Sequence, residues 1–326
     1  MLPGMLPPKD ALTICFAHGA YRMADRFAAR HTGIHHLQVG NAEELARHLP
    51  ETDVLVVSMM WRNELAEAAA KLRFIQSISA GVDQYDKELL RARGIRLASA
   101  AGVNAHAVAE HAMAMILALR RKLHTSRDNQ AARFWRPMAS GIASREDELG
   151  GKTLLIIGLG RIGTRLARLA KAFDMRVIAT RRDPSRGGEG ADEIYGNDRL
   201  PELLSAADVV AITCPLTPAT ENLIDAKALG LMRPTAHLIN VGRGRIVDED
   251  ALVRALAEER IAAAGLDVMR EEPLPASSPL WTLPNVLLTP HVAGETQRYE
   301  DSVIDILLDN LARLWRGETA LRNQIA

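Results

Sequence analysis

Residues 152–163 read KTLLIIGLGRIG, an apolar run that ends in glycines at 158, 160 and 163. The spacing is G-x-G-x-x-G, set directly after a strand pattern and at the mouth of a helix pattern over residues 161–173. In a dinucleotide site each glycine has its own duty. Gly158 permits the tight turn, Gly160 lets backbone approach a pyrophosphate, and Gly163 lets helix and strand pack closely while the helix N-terminus faces the negative charge. The next strand ends in Thr180, Arg181 and Arg182, at the point about 20 residues on where NAD sites carry a carboxylate for the ribose 2′-hydroxyl. Arginine suits a 2′-phosphate instead, because its planar guanidinium matches phosphate oxygens, so NADP(H) is favoured and NAD(H) is the alternative. In that alternative the arginines are solvated and Asp183 serves the ribose.

From this unit the alternation of short apolar runs and helix patterns continues in both directions, the signature of strand–helix units around parallel sheets. Downstream, strands are expected at 176–180, 208–213, 237–241, 264–268 and near 285–289, with a helix over 249–258. Upstream they are expected at 12–17, 34–39, 53–58, 74–79 and 95–98, with helices over 42–48 and 63–71 and a long one from Asn104 to about Lys122. A helix with a Leu/Ile stripe is expected over 296–315, while 186–192 and 270–279 read as irregular. The 326 residues are 48% hydrophobic and carry 40 Lys+Arg against 40 Asp+Glu. Zero formal charge removes the basic footprint of a nucleic-acid or membrane-surface protein. No uncharged apolar run reaches the roughly 18 residues of a membrane span, and the opening MLPGMLPPKD has neither a basic region nor a long apolar core, so a cytoplasmic location is expected. Cys15 and Cys214 stand far apart without partners at metal spacing, which supports neither a disulfide framework nor a metal site.

Three downstream segments begin at or near strand ends, where open parallel sheets place their ligands. They contribute Arg243 from NVGRG, Glu272 after LDV, and His291 from TPHVAG. Singly, each has a plain alternative: a surface ion pair, a solvated loop charge, a capping or core histidine. Together they suit hydride transfer between a nicotinamide and a carbonyl. A histidine supplies the proton at the carbonyl oxygen. A carboxylate beside it favours the imidazolium and fixes its tautomer. An arginine holds a substrate carboxylate bidentately and polarises the carbonyl. The substrate so implied is a 2-oxo acid.

The stretches SISAGVDQYD (77–86), GVNAHAVAEHAMAMILAL (102–119), GKTLLIIGLGRIG (151–163), CPLTPATENLI (214–224), LINVGRGRIVDEDALVRAL (238–256), AAGLDVMREEP (263–273) and NVLLTPHVAG (285–294) occur in this order. In that order they resemble the D-isomer-specific 2-hydroxyacid dehydrogenase family over nearly the whole chain. The resemblance implies the catalytic set Arg243, Glu272 and His291. It puts the family's glycine loop on Leu159, Gly160, Arg161, Ile162 and Gly163, and its carboxylate-binding backbone amides on Ala80 and Gly81. It also implies that Val241, Gly242, Arg243, Asp267, His291, Ala293 and Gly294 line the nicotinamide end and that Pro215 and Leu216 pass beside the cofactor. Arg181 stands where NAD-using members carry Asp.

The fold implied is α/β, a Rossmann-type doubly wound parallel sheet inserted into a smaller flavodoxin-like α/β substrate domain. Residues 1–103 and 293–326 form the substrate domain, and 104–292 the NAD(P)-binding domain. The segment 104–145, with AARFWRP, is where such chains form a two-fold dimer, Trp135 being alternatively a core residue. The expected activity is reduction of a small 2-oxo acid, of the glyoxylate or hydroxypyruvate type, to the D-hydroxy acid. The alternatives are 3-phosphoglycerate oxidation and a catalytically silent nucleotide-sensing scaffold. Selectivity is expected from side chains near Trp61, Asn104 and Trp281.

Overall fold

The structure, a computed structural model, describes residues 6–326; the first five residues of MLPGMLPPKD lie outside it. The chain divides into two compact units, one comprising the residues up to Asn104 together with Thr296–Ala326, the other Ala105–Glu295.

In the first unit, β1 (Thr13–Ala17), β2 (His35–Val39), β3 (Val54–Val57), β4 (Phe74–Ser77) and β5 (Arg96–Ala98) form an all-parallel sheet in the order β2-β1-β3-β4-β5. Its central strands β1 and β3 read as nearly unbroken apolar runs because both faces are covered. Along β1, Ile14 and Phe16 enter one core layer while Cys15 and Ala17 enter the other, and Val54 and Val56 alternate with Leu55 and Val57 in the same way on β3. The helix Tyr299–Trp315 returns to the first layer through Val303, Ile304, Leu307 and Leu311, spaced to share one helix face. It is tied there by Asn310, whose Nδ2 donates to Gln76 Oε1 at 3.2 Å, and by the Tyr299 hydroxyl, which donates to the Ile78 carbonyl. These bonds explain why the chain's last segment belongs with its first.

In the second unit, β6 (Thr153–Ile157), β7 (Arg176–Thr180), β8 (Glu193–Tyr195), β9 (Val209–Ile212), β10 (His237–Asn240), β11 (Ala263–Leu266) and β12 (Val286–Leu288) form an all-parallel sheet. Its order, β12-β11-β10-β9-β6-β7-β8, reverses direction between β6 and β9. That switch point is where such sheets leave a crevice at their carboxyl ends. Leu155 and Ile157 pack into one layer, Leu154 and Ile156 into the other.

Several expected elements differ in extent. The helix read over 63–71 is a single turn, Leu65–Ala68, flanked by three-residue turns. The helix from Asn104 stops at Arg120: Lys122 adopts a left-handed φ of 51° and a second helix, Leu123–Ala131, begins. The edge strand β8 was not anticipated, since its three residues are too few to show a period. The second compact unit runs as far as Glu295, and within it the N–H groups of Val292 and Ala293 donate to the Asp267 carboxylate just past β11. Trp61, expected beside the substrate, is core: it is 1% exposed, its ring 5.9 Å from that of Tyr85 and its Nε1 donating to Asn63 Oδ1 at 3.0 Å. Trp135 is 94% exposed, which removes its core alternative. No helix among the described residues is long and apolar enough to cross a membrane.

Candidate active site

The turn after β6 is shaped by close packing. Gly158 has φ +100°, and a Cβ there would stand 2.6 Å from Cα of Cys214 just past β9. A Cβ on Gly163 would stand 2.6 Å from the Gly158 carbonyl oxygen. One on Gly160 would meet nothing within 4 Å, so this glycine faces open space. The N–H groups of Gly158 and Leu159 donate to the Thr180 carbonyl at 3.0 and 2.9 Å, and that of Gly160 to the Gly158 carbonyl at 2.8 Å. With the turn's own donors used internally, the backbone donors suited to an anion are those at the start of the helix Arg161–Ala172, which Gly160 opens without a side-chain cap. Arg161 is exposed there and Ile162 half-buried. Leu159 points into the core, and Thr180 is buried with no partner for its hydroxyl among the described residues, so both shape the turn from beneath. Past β9, Pro215 is exposed and Leu216 half-buried, their turn closed by Thr220 Oγ1 donating to the Pro215 carbonyl at 2.8 Å.

The loop after β7 carries Arg181, Arg182 and Arg186. Arg181 is half-buried, its guanidinium donating to the Gly187 carbonyl, while Arg182 and Arg186 are exposed. Asp183 turns back on Ser185, accepting its N–H at 3.2 Å and its hydroxyl at 2.6 Å. These bonds, chiefly the hydroxyl's, hold the Asp183 carboxyl below its ordinary range. The acidic group next to Arg181 and Arg182 is therefore engaged in a local turn. An open backbone at Gly160, an uncapped helix start and an arginine-bearing loop together fit a dinucleotide.

Arg243, Glu272 and His291 come from the ends of β10, β11 and β12. Asn240 closes β10 by accepting from Gly242 N–H at 3.0 Å and donating to the Arg243 carbonyl at 3.0 Å, which tightens the turn around the arginine. A Cβ on Gly244 would stand 2.0 Å from the Met269 backbone, so the loop leading to Glu272 lies directly on this turn. Arg243 is half-buried, its NH1 donating to the Gly242 carbonyl at 2.7 Å, and no carboxylate among the described residues pairs with it. Glu272 accepts the Met269 N–H on Oε1 at 2.9 Å and contacts His291 Nδ1 through Oε2 at 2.7 Å. His291 itself has φ +56°, and its N–H donates to the Asp267 carbonyl at 2.8 Å. The Asp267 carboxylate is buried and accepts from Val292 N–H at 2.9 Å, Ala293 N–H at 3.0 Å and Thr289 Oγ1 at 2.6 Å. It shapes the 289–293 segment. Val241 and Ala293 are buried apolar residues in one core layer, with Gly294 half-buried beside them in the chain.

The second unit thus brings the Glu272–His291 pair and the glycine-flanked Arg243 to one sheet edge. Ala80 and Gly81 occupy the turn after β4 in the first unit, exposed and half-buried respectively. Trp281 is exposed, its Nε1 donating to the Pro275 carbonyl at 2.9 Å, and Asn104 is half-buried. Sequence reasoning missed Asn240, Thr289 and His111 as residues that build the site. All three lie inside quoted motifs, where His111 shows only as one of the polar residues of an Ala/Met/Leu helix.

Residues 113–293 match the profile of the D-isomer specific 2-hydroxyacid dehydrogenase NAD binding domain. The chain is 37% identical over 284 residues to a glyoxylate reductase of Pyrococcus furiosus, covering 85% of this chain and 83% of that protein. Among solved structures it resembles a D-isomer specific 2-hydroxyacid dehydrogenase family protein of Aeromonas salmonicida, with a TM-score of 0.85 and 31% identity over 97% of this chain and 99% of the other. It also resembles the NADPH-dependent glyoxylate/hydroxypyruvate reductase of Sinorhizobium meliloti in complex with NADP and malonate, with a TM-score of 0.79, 27% identity and 97% coverage of both chains. The chain belongs to the D-isomer specific 2-hydroxyacid dehydrogenase family. It is an NAD(P)-dependent oxidoreductase of that class.

Proposed function

We propose that this chain reduces a small 2-oxo acid, glyoxylate or hydroxypyruvate, to the D-2-hydroxy acid with NADPH. The observation that carries this reading is the 2.7 Å contact between His291 Nδ1 and Glu272, beside an Arg243 with no carboxylate of its own among the described residues. Bound NADPH supplies a hydride to the carbonyl carbon. With Nδ1 donating to Glu272, His291 keeps Nε2 to deliver a proton to the carbonyl oxygen, and the carboxylate stabilises the charged ring that does so. Arg243 accepts the substrate carboxylate on its guanidinium and draws electron density from the adjacent carbonyl. We assign the substrate domain, which carries Ala80 and Gly81, to the first unit and the cofactor domain to the second. Arg181, Arg182 and Arg186 favour a 2′-phosphate because Asp183, the residue that would serve a 2′-hydroxyl, is turned onto Ser185. The Sinorhizobium relative's use of NADPH on glyoxylate and hydroxypyruvate supports the same reading. A second copy of the chain is the expected partner, docking where Phe134, Trp135, Met138 and Ile142 expose apolar surface.

The test is steady-state turnover of glyoxylate, hydroxypyruvate and pyruvate with NADPH and with NADH, and of 3-phosphoglycerate with NADP and NAD. Highest kcat/KM for glyoxylate or hydroxypyruvate with NADPH is expected. Preferred oxidation of 3-phosphoglycerate, or cofactor binding without turnover of any acid, would overturn it.

A further inference from the structure

Helix Ala105–Arg120 lends one polar side chain to the base of the catalytic loop. His111 Nε2 lies 2.9 Å from Thr289 Oγ1 and 3.7 Å from Asp267 Oδ1, and Thr289 Oγ1 lies 2.6 Å from that same Oδ1. The direction of this chain of bonds follows from proton counting. An ionised carboxylate only accepts, so the single hydroxyl proton of Thr289 goes to Asp267. The hydroxyl then accepts from the imidazole, which places a proton on His111 Nε2. The order is His111 to Thr289 to Asp267. Asp267 is 1% exposed, so its charge must be met by donors, and each of the others belongs to the loop: Val292 N–H on Oδ1 and Ala293 N–H on Oδ2. The Asp267 carbonyl meanwhile takes the N–H of His291. His291 sits at φ +56°, a left-handed conformation that a residue with a β-carbon holds only where its surroundings enforce it.

We propose that His111, Thr289 and Asp267 form a clamp that enforces the left-handed backbone of His291 and so aims its ring. None of the three has a part in the proton transfer: they are positioning residues. The inference rests on His291 being the proton donor proposed above. It goes further in assigning a task to a histidine on a helix remote in sequence and to a hydroxyl between an imidazole and a carboxylate. Removing the hydroxyl leaves His111 without its acceptor and Oδ1 of Asp267 without one donor, and the segment from Thr289 to Gly294 gains freedom.

The test compares Thr289→Val, Thr289→Ser, His111→Leu and His111→Gln with the parent enzyme. It uses kcat with glyoxylate and NADPH, the Kd of NADPH by fluorescence, and amide hydrogen exchange by peptide mass spectrometry. Thr289→Val keeps the side-chain volume without the hydroxyl. It should lower kcat by about tenfold to a hundredfold, the size of effect a misplaced catalytic group produces, while NADPH Kd stays within about threefold. Exchange should rise in the peptide spanning 289–294 and stay at parent levels elsewhere. Thr289→Ser, which restores the hydroxyl, and His111→Gln, which offers an N–H near the position of Nε2, should recover most of kcat, and His111→Leu should not. Parent-like kcat and parent-like local exchange in Thr289→Val would overturn the clamp. So would exchange that rises through the whole chain, since that marks general destabilisation. A parent enzyme that turns over no 2-oxo acid would overturn the proposed reduction instead, and the exchange measurements would still decide the clamp.

Discussion

At the amino end of β10 stands His237, at its carboxyl end stands Asn240, and Arg243 follows in the turn; the two ends of one short strand show two ways of keeping a polar group inside a protein. His237 is 7% exposed, its Nδ1 without a partner among the described residues. Burial, reinforced by the positive charges of Arg120 and His124 and opposed by Asp147, pushes its pKa down to about 3. Arg120, equally buried at 6% exposed, has one ion pair among the described residues, to Asp147 at 3.5 Å, and an Nε with no partner there. At the other end Asn240 meets both neighbours of its turn, and Arg243 is half-buried with no carboxylate beside it. The amino edge tolerates unmet polar groups at a cost in stability, while the carboxyl edge closes its turn through Asn240 and leaves the Arg243 side chain without a carboxylate, open to a ligand. Variants at the carboxyl edge should therefore change kinetics and spare stability, and variants at the amino edge should do the reverse.

The largest effect is expected from His291→Ala. It should lose about 10²–10⁴-fold in kcat, as removal of a general acid does, with cofactor Kd and melting temperature near those of the parent. Turnover close to the parent's would break the comparison at its most exposed point. Next, Arg243→Ala should raise KM for acids with a free carboxylate by about tenfold to a hundredfold, the worth of one charge-assisted hydrogen-bond pair; an unchanged KM would show that the guanidinium does not touch substrate.

His237→Gln tests the opposite edge. In the unfolded chain this histidine takes up a proton near its ordinary pKa of 6.5, while the folded protein refuses it until about pH 3. The unfolded state therefore binds more protons between these values, and stability falls as pH drops, by about 1.4 kcal/mol per pH unit for this one group. Between pH 6.5 and pH 5 the parent should lose roughly 2 kcal/mol through His237, and the glutamine variant should lack that loss in urea titrations at the two pH values. Equal pH slopes would mean that His237 titrates in the folded state. The smallest effect is expected from Arg181→Asp, which should move the NADPH/NADH ratio of kcat/KM about tenfold toward NADH, one salt-bridged contact's worth. A ratio equal to the parent's would remove Arg181 from 2′-phosphate recognition.

Much of this was legible in the sequence, and for identifiable reasons. Strand positions came from apolar runs buried on both faces, and β7 matched its expected span 176–180 because a turn signal bounds it on each side. The helix over 42–48 was equally plain, with Asn41 accepting the Glu44 N–H as its cap. Arg243, Glu272 and His291 were read as following strands, and they do follow β10, β11 and β12. Harder to read were features that depend on neighbours distant in sequence. Nothing in RFWRP or in the isolated Trp61 tells which tryptophan is buried, because that depends on whether Tyr85 closes over the ring. Nothing local tells that Asp183 bends onto Ser185 instead of reaching outward. His111 and Thr289 are 178 residues apart, and their bond exists only once a helix is laid against the sheet edge.

The tight packing of Gly158 on Cys214 has a chemical consequence. Burial pushes the Cys214 thiol up to about 11 and the Cys15 thiol up to about 12, so at neutral pH only about one molecule in ten thousand carries the nucleophilic thiolate at Cys214, and fewer at Cys15. Electrophiles and mild oxidants attack thiolates, and here they find almost none. An adduct on Cys214 would also need room that the adjacent turn does not leave. The Cys214 thiol packed against the glycine turn is thus chemically silent, and an enzyme whose cofactor cycles between redox states keeps this thiol out of that cycle.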